Sequence, residues 1–170
     1  MQNFKEKLNK ITTFIFDMDG VLTNGTIWVM HGHDPIRNLN SKDGYAFQLA
    51  AKKGYKLFLL SGGSSIAVKE ILLRAGFNEV YMAQHDKNKC YQDMLKEHNL
   101  IPEEILYMGD DLPDYKVMTQ VGVATCPADA ANEIKNYCIY ISQKKGGEGC
   151  ARDVVEQVLR LKGDWEIANW

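Results

Sequence analysis

What the chain lacks narrows it first. There is no long basic run and the formal net charge is −2, which excludes a nucleic-acid footprint of the usual electrostatic kind. No apolar stretch approaches membrane-spanning length, and the polar, lysine-rich Met1 to Lys10 has no apolar core of a secretory signal, so a soluble, cytoplasmic protein with no membrane partner is expected. The four cysteines, Cys90, Cys126, Cys138 and Cys150, form no Cys-x-x-Cys pair. Zinc and a disulfide framework are therefore not suggested, and reduced, mostly buried thiols are expected. With 170 residues, 45% of them hydrophobic, the chain suits one domain over 1–170 with a sizeable core.

What is present begins at Phe14-Ile15-Phe16-Asp17-Met18-Asp19-Gly20-Val21-Leu22-Thr23. The apolar, β-branched run from Ile11 to Phe16 reads as a strand buried on both faces. It ends abruptly in Asp-x-Asp-Gly. Two carboxylates at i and i+2, followed by a glycine that lets the chain turn, repel one another and stay ionised only with a cation between them. The string therefore predicts a magnesium site, in which one aspartate attacks phosphorus and the other handles protons.

Asn24-Gly25 is a turn signal, and the stretch from about 24 to 40 reads as a projecting β-hairpin whose Trp28 and Met30 share one face. Such exposed apolar side chains call for a covering partner, most simply another subunit. His31 and His33 read as a polar turn. A helix is expected from Asp43 to Lys53, a second buried strand over Lys56 to Leu60, and then Ser61-Gly62-Gly63-Ser64-Ser65 before a helix from Ile66 to Ala75. A hydroxyl and glycine amides between a strand end and a helix start suit an anion. A short strand, Glu79 to Met82, precedes a helix opened by Asp86-Lys87, where a lysine opposes the helix dipole and a bound phosphate would explain it. His85 and His98 read as unpartnered surface residues. Strand Ile105 to Met108 stops at Gly109 and releases Asp110, Asp111 and Asp114, a second cation-binding cluster, with Pro113 at a first helical position. The remaining expectations are a strand over Val121 to Ala124, a helix over Pro127 to Asn136, an edge strand over Tyr137 to Ser142, a helix from Cys150 to about Lys162, and a tail over 163–170.

Strands alternating with helices imply a doubly wound, Rossmann-like α/β fold with a parallel sheet, binding its ligand at the carboxyl ends of the strands. Asp17, Ser61, Lys87 and Asp110 each follow such an end. Those four places resemble, in order, the four motifs of the haloacid dehalogenase superfamily. The wider resemblance, carried also by Lys42-Asp43-Gly44-Tyr45, Ala128-Asp129-Ala130 and Gly146-Gly147-x-Gly149, is to its small tetrameric phosphatases of 3-deoxy-D-manno-octulosonate 8-phosphate and related sugar acid phosphates.

The resemblance implies that Asp17 is the nucleophile of an aspartyl-phosphate and Asp19 the acid and base. Mg2+ would be held by Asp17, the Asp19 carbonyl and Asp110, with Ser61, Gly62 and Lys87 cradling phosphate. Asp111, Asp114 and Thr23 would have supporting roles. No large insertion follows the hairpin or Ser61, so no cap domain is expected. By resemblance, a homotetramer would complete each site from a neighbouring subunit, including the glycine-rich C-terminal segment. The chain departs from that family at Gly63 and Glu148, positions often held by arginine. Lys42, Asp43 and Arg37 are candidate substrate residues, with Lys69 and Arg74 as further possible replacements for the missing arginine. A nine-carbon keto-sugar acid 9-phosphate is the alternative substrate. A two-component receiver is disfavoured because no acid follows the third strand, and a non-catalytic tetramerisation module because every catalytic residue type is present.

Overall fold

The computed structural model describes residues 4–166. Six parallel strands form one sheet in the order β3-β2-β1-β4-β5-β6. They are β1 (Thr13–Phe16), β2 (Lys56–Leu60), β3 (Glu79–Tyr81), β4 (Ile105–Met108), β5 (Val123–Cys126) and β6 (Tyr140–Ile141). The helices are α1 (Phe4–Leu8), α2 (Ser41–Lys52), α3 (Ile66–Arg74), α4 (Lys87–Glu97), α5 (Tyr115–Met118), α6 (Asn132–Tyr137) and α7 (Cys150–Lys162).

The central strands are mostly apolar, Thr13 of β1 apart, because both sheet faces are covered. Phe14 and Phe16 of β1, with Leu106 and Met108 of β4, pack with buried side chains of α2, α3 and α7. Ile15, Ile105 and Tyr107 point the other way, into a cluster with Cys90, Tyr91 and Met94 of α4 and Val117 and Met118 of α5. Strand order reverses at β1, which pairs with both β2 and β4 in the register Phe16 to Leu59 and Phe16 to Met108. The crevice at this reversal is where a doubly wound sheet holds its ligand. It brings the residues after β1 and β4 side by side.

Several sequence expectations shift. The fifth strand is Val123–Cys126 rather than Val121 to Ala124. Gly122 first crosses tightly over Glu103, donating to Pro102 O at 2.8 Å, so the chain joins the sheet two residues later. The helix expected from Pro127 begins only at Asn132, because the Ala128 and Ala131 amides bind Lys144 O and Asp110 O at 2.9 and 2.8 Å. The edge strand shrinks to Tyr140–Ile141, and the N-terminal segment, not expected to be helical, forms α1. α2 starts at Ser41 because the Asn40 side chain caps the Lys42 amide. His98 is half-buried, its ring tilted against Phe58 and 2.7 Å from the Tyr81 hydroxyl, unlike the partnerless histidine expected.

The hairpin is two extended arms joined by a single antiparallel bridge, Trp28 to Ile36. Trp28 is 67% and Val29 81% exposed. Of the tail, Trp165 lies against Tyr45 and under the guanidinium groups of Arg152 and Arg160, while 167–170 lie outside the described residues. The glycine run packs on its own chain: Gly146 and Gly147 lie against the backbone of Gly20 and of Thr23 to Asn24.

Candidate active site

At the carboxyl end of β1 the chain makes a wide irregular turn over Met18–Leu22, with Gly20 at φ +90°. A side chain at 20 would also collide with the Asp110 carboxylate, so glycine is required on both counts. The turn throws Asp17 and Asp19 into a cleft of about 330 Å³ that is also lined by Ser61, Gly62, Gly63, Gln84, His85, Lys87, Asp110, Asp111, Pro113 and Asp114. All four expected strand ends therefore meet.

Lys87 is the hub. Its Nζ lies 2.9 Å from Asp17 Oδ2 and 2.7 Å from Asp114 Oδ1, and all three side chains are buried. Burial alone would lower the lysine's pKa, but the two carboxylates outweigh it and hold the ammonium above its ordinary value. The helix-opening lysine thus answers to carboxylates as well as to any phosphate. Asp114 also accepts from the Tyr107 hydroxyl at 2.6 Å and from the Asp110 amide at 3.1 Å. With both oxygens engaged, Asp114 anchors Lys87 and the acidic loop, whereas exposed Asp111 caps the turn by accepting from the Leu112 amide at 2.8 Å.

Asp17, Asp110 and Asp114 each place a carboxylate oxygen within 4.8 Å of the others. Burial first, then the charge of Asp114, pushes Asp17 up to about 7 despite Lys87. Burial, then Asp17 and Asp114, pushes Asp110 up to about 8. Asp110 Oδ1 is buried without a hydrogen-bond partner among the described residues. One lysine cannot balance buried Asp17 and Asp114 together with half-buried Asp110, so the site is short of positive charge on the side where Asp17 and Asp110 face each other. A hard divalent cation with oxygen ligands fits there.

On the other side of Asp17, Ser61 is buried, its Oγ accepting from the Gly63 amide at 3.1 Å. The hydroxyl hydrogen can then turn to an anion in the cleft. Asp19 is gripped at both oxygens by Arg37, Nε to Oδ1 at 2.7 Å and Nη2 to Oδ2 at 3.0 Å. Buried Thr23 lies 3.4 Å from Asp19 Oδ1 and accepts from the Gly25 amide at 3.1 Å.

The substrate candidates fare differently. Asp43 is buried outside the cleft, where it accepts from the Arg152 amide at 2.8 Å, and burial pushes it up to about 6. Lys42 is exposed and Arg74 pairs with Glu70; neither lines the cleft. Sequence reasoning missed Tyr107, although a tyrosine inside a buried apolar strand signals a hydroxyl in need of a partner. It also missed the grip of Arg37 on Asp19.

Residues 41–122 match a family model described as haloacid dehalogenase-like hydrolase. A probable YrbI family phosphatase from Pseudomonas syringae superposes with a TM-score of 0.90 at 30% identity, over 94% of this chain and 91% of that one. The chain belongs to the haloacid dehalogenase superfamily, in its 3-deoxy-D-manno-octulosonate 8-phosphate phosphatase family. It is 29% identical to that phosphatase of Escherichia coli K12, over 96% of this chain and 87% of the relative. The same enzyme from Moraxella catarrhalis, solved with magnesium, phosphate and its sugar acid, matches with a TM-score of 0.88 at 27% identity, over 92% of this chain and 90% of that one. Family membership makes the cleft at the β1 and β4 ends the place to look for chemistry.

Proposed function

We propose that the chain is a magnesium-dependent phosphomonoesterase acting on 3-deoxy-D-manno-octulosonate 8-phosphate, in lipopolysaccharide sugar synthesis. The observation that carries the reading is the meeting of Asp17, Lys87 and Asp110 beside Ser61 in one cleft. Asp17 attacks phosphorus while Lys87 lies against its carboxylate and offsets charge on the phosphoryl group. Asp19 gives a proton to the leaving sugar oxygen and then takes one from the water that cleaves the aspartyl-phosphate. Ser61 and Gly62 hold the phosphate oxygens; Asp114 and Tyr107 orient Lys87; Asp111 and Thr23 brace the two acidic turns. Asp17, Asp110 and the Asp19 carbonyl would hold Mg2+, which masks their charge and polarises the phosphoryl group.

The charge shortage has a measurable sign. Asp17 and Asp110 keep protons in the folded chain to about 7 and 8, against 3.8 unfolded. The stability they contribute is present below 3.8 and lost as pH rises through those values. The unfolding midpoint of metal-free protein should fall across this window, and Mg2+ should restore it at the alkaline end. A midpoint indifferent to Mg2+ at pH 8 would count against the cation site.

Phosphate release measured with Mg2+ across eight-carbon and nine-carbon keto-sugar acid phosphates and hexose phosphates tests the substrate. We expect preference for the eight-carbon acid. The nine-carbon alternative is favoured by Gly63 and exposed Glu148, and its preference would overturn the first assignment; turnover of none would leave a non-catalytic module.

The uncovered Trp28, Val29 and Met30 fit a homotetramer in which hairpins meet and neighbours finish each site. Trp28→Asp should weaken assembly in sedimentation and raise KM for the sugar phosphate more than for 4-nitrophenyl phosphate. A monomer with full selectivity would refute the shared site.

A further inference from the structure

Arg37 stands on the second hairpin arm, next to the bridging Ile36, yet its side chain is only 3% exposed. It reaches inward until its guanidinium spans Asp19, and a third nitrogen, Nη1, donates to Ser64 O at 2.9 Å. The planar fork matches a carboxylate bidentately and so fixes both its position and its rotation. Asp19 Oδ1 faces Arg37 Nε and the Thr23 hydroxyl, whereas among the described residues Oδ2 has only Arg37 Nη2. Oδ2 is therefore the oxygen with a lone pair to spare, and Asp19 lines the cleft.

Gly63 is the counterpart. A Cβ there would lie 2.8 Å from Asp19 Oδ2, 2.9 Å from Arg37 Nη2 and 3.0 Å from Met18 Cε. The guanidinium occupies the ground into which a side chain at 63 would grow.

We propose that Arg37, reaching across Gly63, is a positioning residue that holds Asp19 with Oδ2 turned to the leaving group, so that a proton Oδ2 takes from water before the ester breaks passes to the departing sugar oxygen. It couples the hairpin to proton transfer rather than binding the sugar itself. This rests on the phosphatase reading above. A general acid matters most when the leaving group is a poor one. A sugar alkoxide needs a proton as the ester breaks; 4-nitrophenolate does not. Because kcat/KM reports steps through phosphoryl transfer to Asp17 and not the later hydrolysis, the two esters separate the role of Asp19 as acid from its role as base.

The experiment is kcat/KM, with Mg2+ and full-length protein, on 4-nitrophenyl phosphate and on 3-deoxy-octulosonate 8-phosphate, or on whichever sugar phosphate of the panel is hydrolysed fastest. Arg37→Ala should lower the sugar-phosphate value about 100-fold and the ratio of sugar to aryl values by at least about tenfold. Arg37→Lys, with one point donor in place of a fork, should recover only a minor part of the ratio. Gly63→Ala, which removes no charge, should move the ratio the same way and keeps the test open if Arg37→Ala fails to fold. The double variant should lose much less than the product of the single losses.

Equal losses on both esters would reduce Arg37 to a structural tie and overturn the inference, as would an unchanged ratio. A raised KM for the sugar acid alone, with kcat intact, would make Arg37 a substrate-binding residue instead. Inactivity of the unsubstituted chain on every ester would strike the phosphatase reading, and this one with it.

Discussion

Asp17→Asn should abolish turnover of every phosphomonoester while leaving the fold intact. The amide keeps the shape of the carboxylate at the end of β1 but is a far weaker nucleophile towards phosphorus. The fold should tolerate the change because Asp17 is a buried acid already pushed up to about 7 by burial and by Asp114. Its loss relieves repulsion, and Lys87 retains Asp114 at 2.7 Å. Rates and unfolding curves of the same preparation check both halves. Retention of more than about one hundredth of the activity would refute covalent catalysis by Asp17.

Lys87→Met tests the opposite balance. Methionine fills much of the lysine's volume, but it leaves Asp17 and Asp114 buried and facing one another with no ammonium between them. Breaking a buried ion pair by removing one partner costs about 3–5 kcal/mol, here on a lysine 6% exposed and bonded to two carboxylates. Chemical denaturation should show that loss near neutral pH and a smaller one in acid, where protons replace the missing charge. Turnover should collapse even under conditions where the variant is folded, because the phosphoryl group loses its fixed cation. A denaturation midpoint equal to the unsubstituted protein's would mean the ion pairs contribute nothing net.

The strand ends were legible in the sequence because parallel strands covered on both faces read as unbroken apolar runs. Acids, a serine or a lysine directly after such runs stand out against them. Asp17, Ser61 and Asp110 were found this way, and Lys87 by its unfavourable place at a helix start. The division of labour inside the acidic cluster was not legible, since spacing makes Asp111 and Asp114 equivalent. Only packing shows one exposed and the other buried between Lys87 and the hydroxyl of Tyr107. Nor could spacing reveal Arg37 crossing to Asp19, because a long side chain on an irregular arm carries no periodic signature. Asp43, a candidate by resemblance alone, is buried outside the cleft and accepts from the amide of Arg152 at the start of α7. The strand at 123–126 was misread where a close crossing at Gly122 overrode an apolar pattern.

The contact between Gly146, Gly147 and the loop after β1 has a consequence for how such chains can diverge. Two backbones touch there with no side chain between them, and neither Gly146 nor Gly147 can gain so much as a methyl group unless the loop withdraws. A side chain at Gly146 or Gly147 would therefore need a matching change of path in the loop after β1. A chimera that took its Asp-x-Asp loop from one relative and its C-terminal segment from another would fail at this seam wherever the parents differ in loop geometry, however well the rest of their cores agreed.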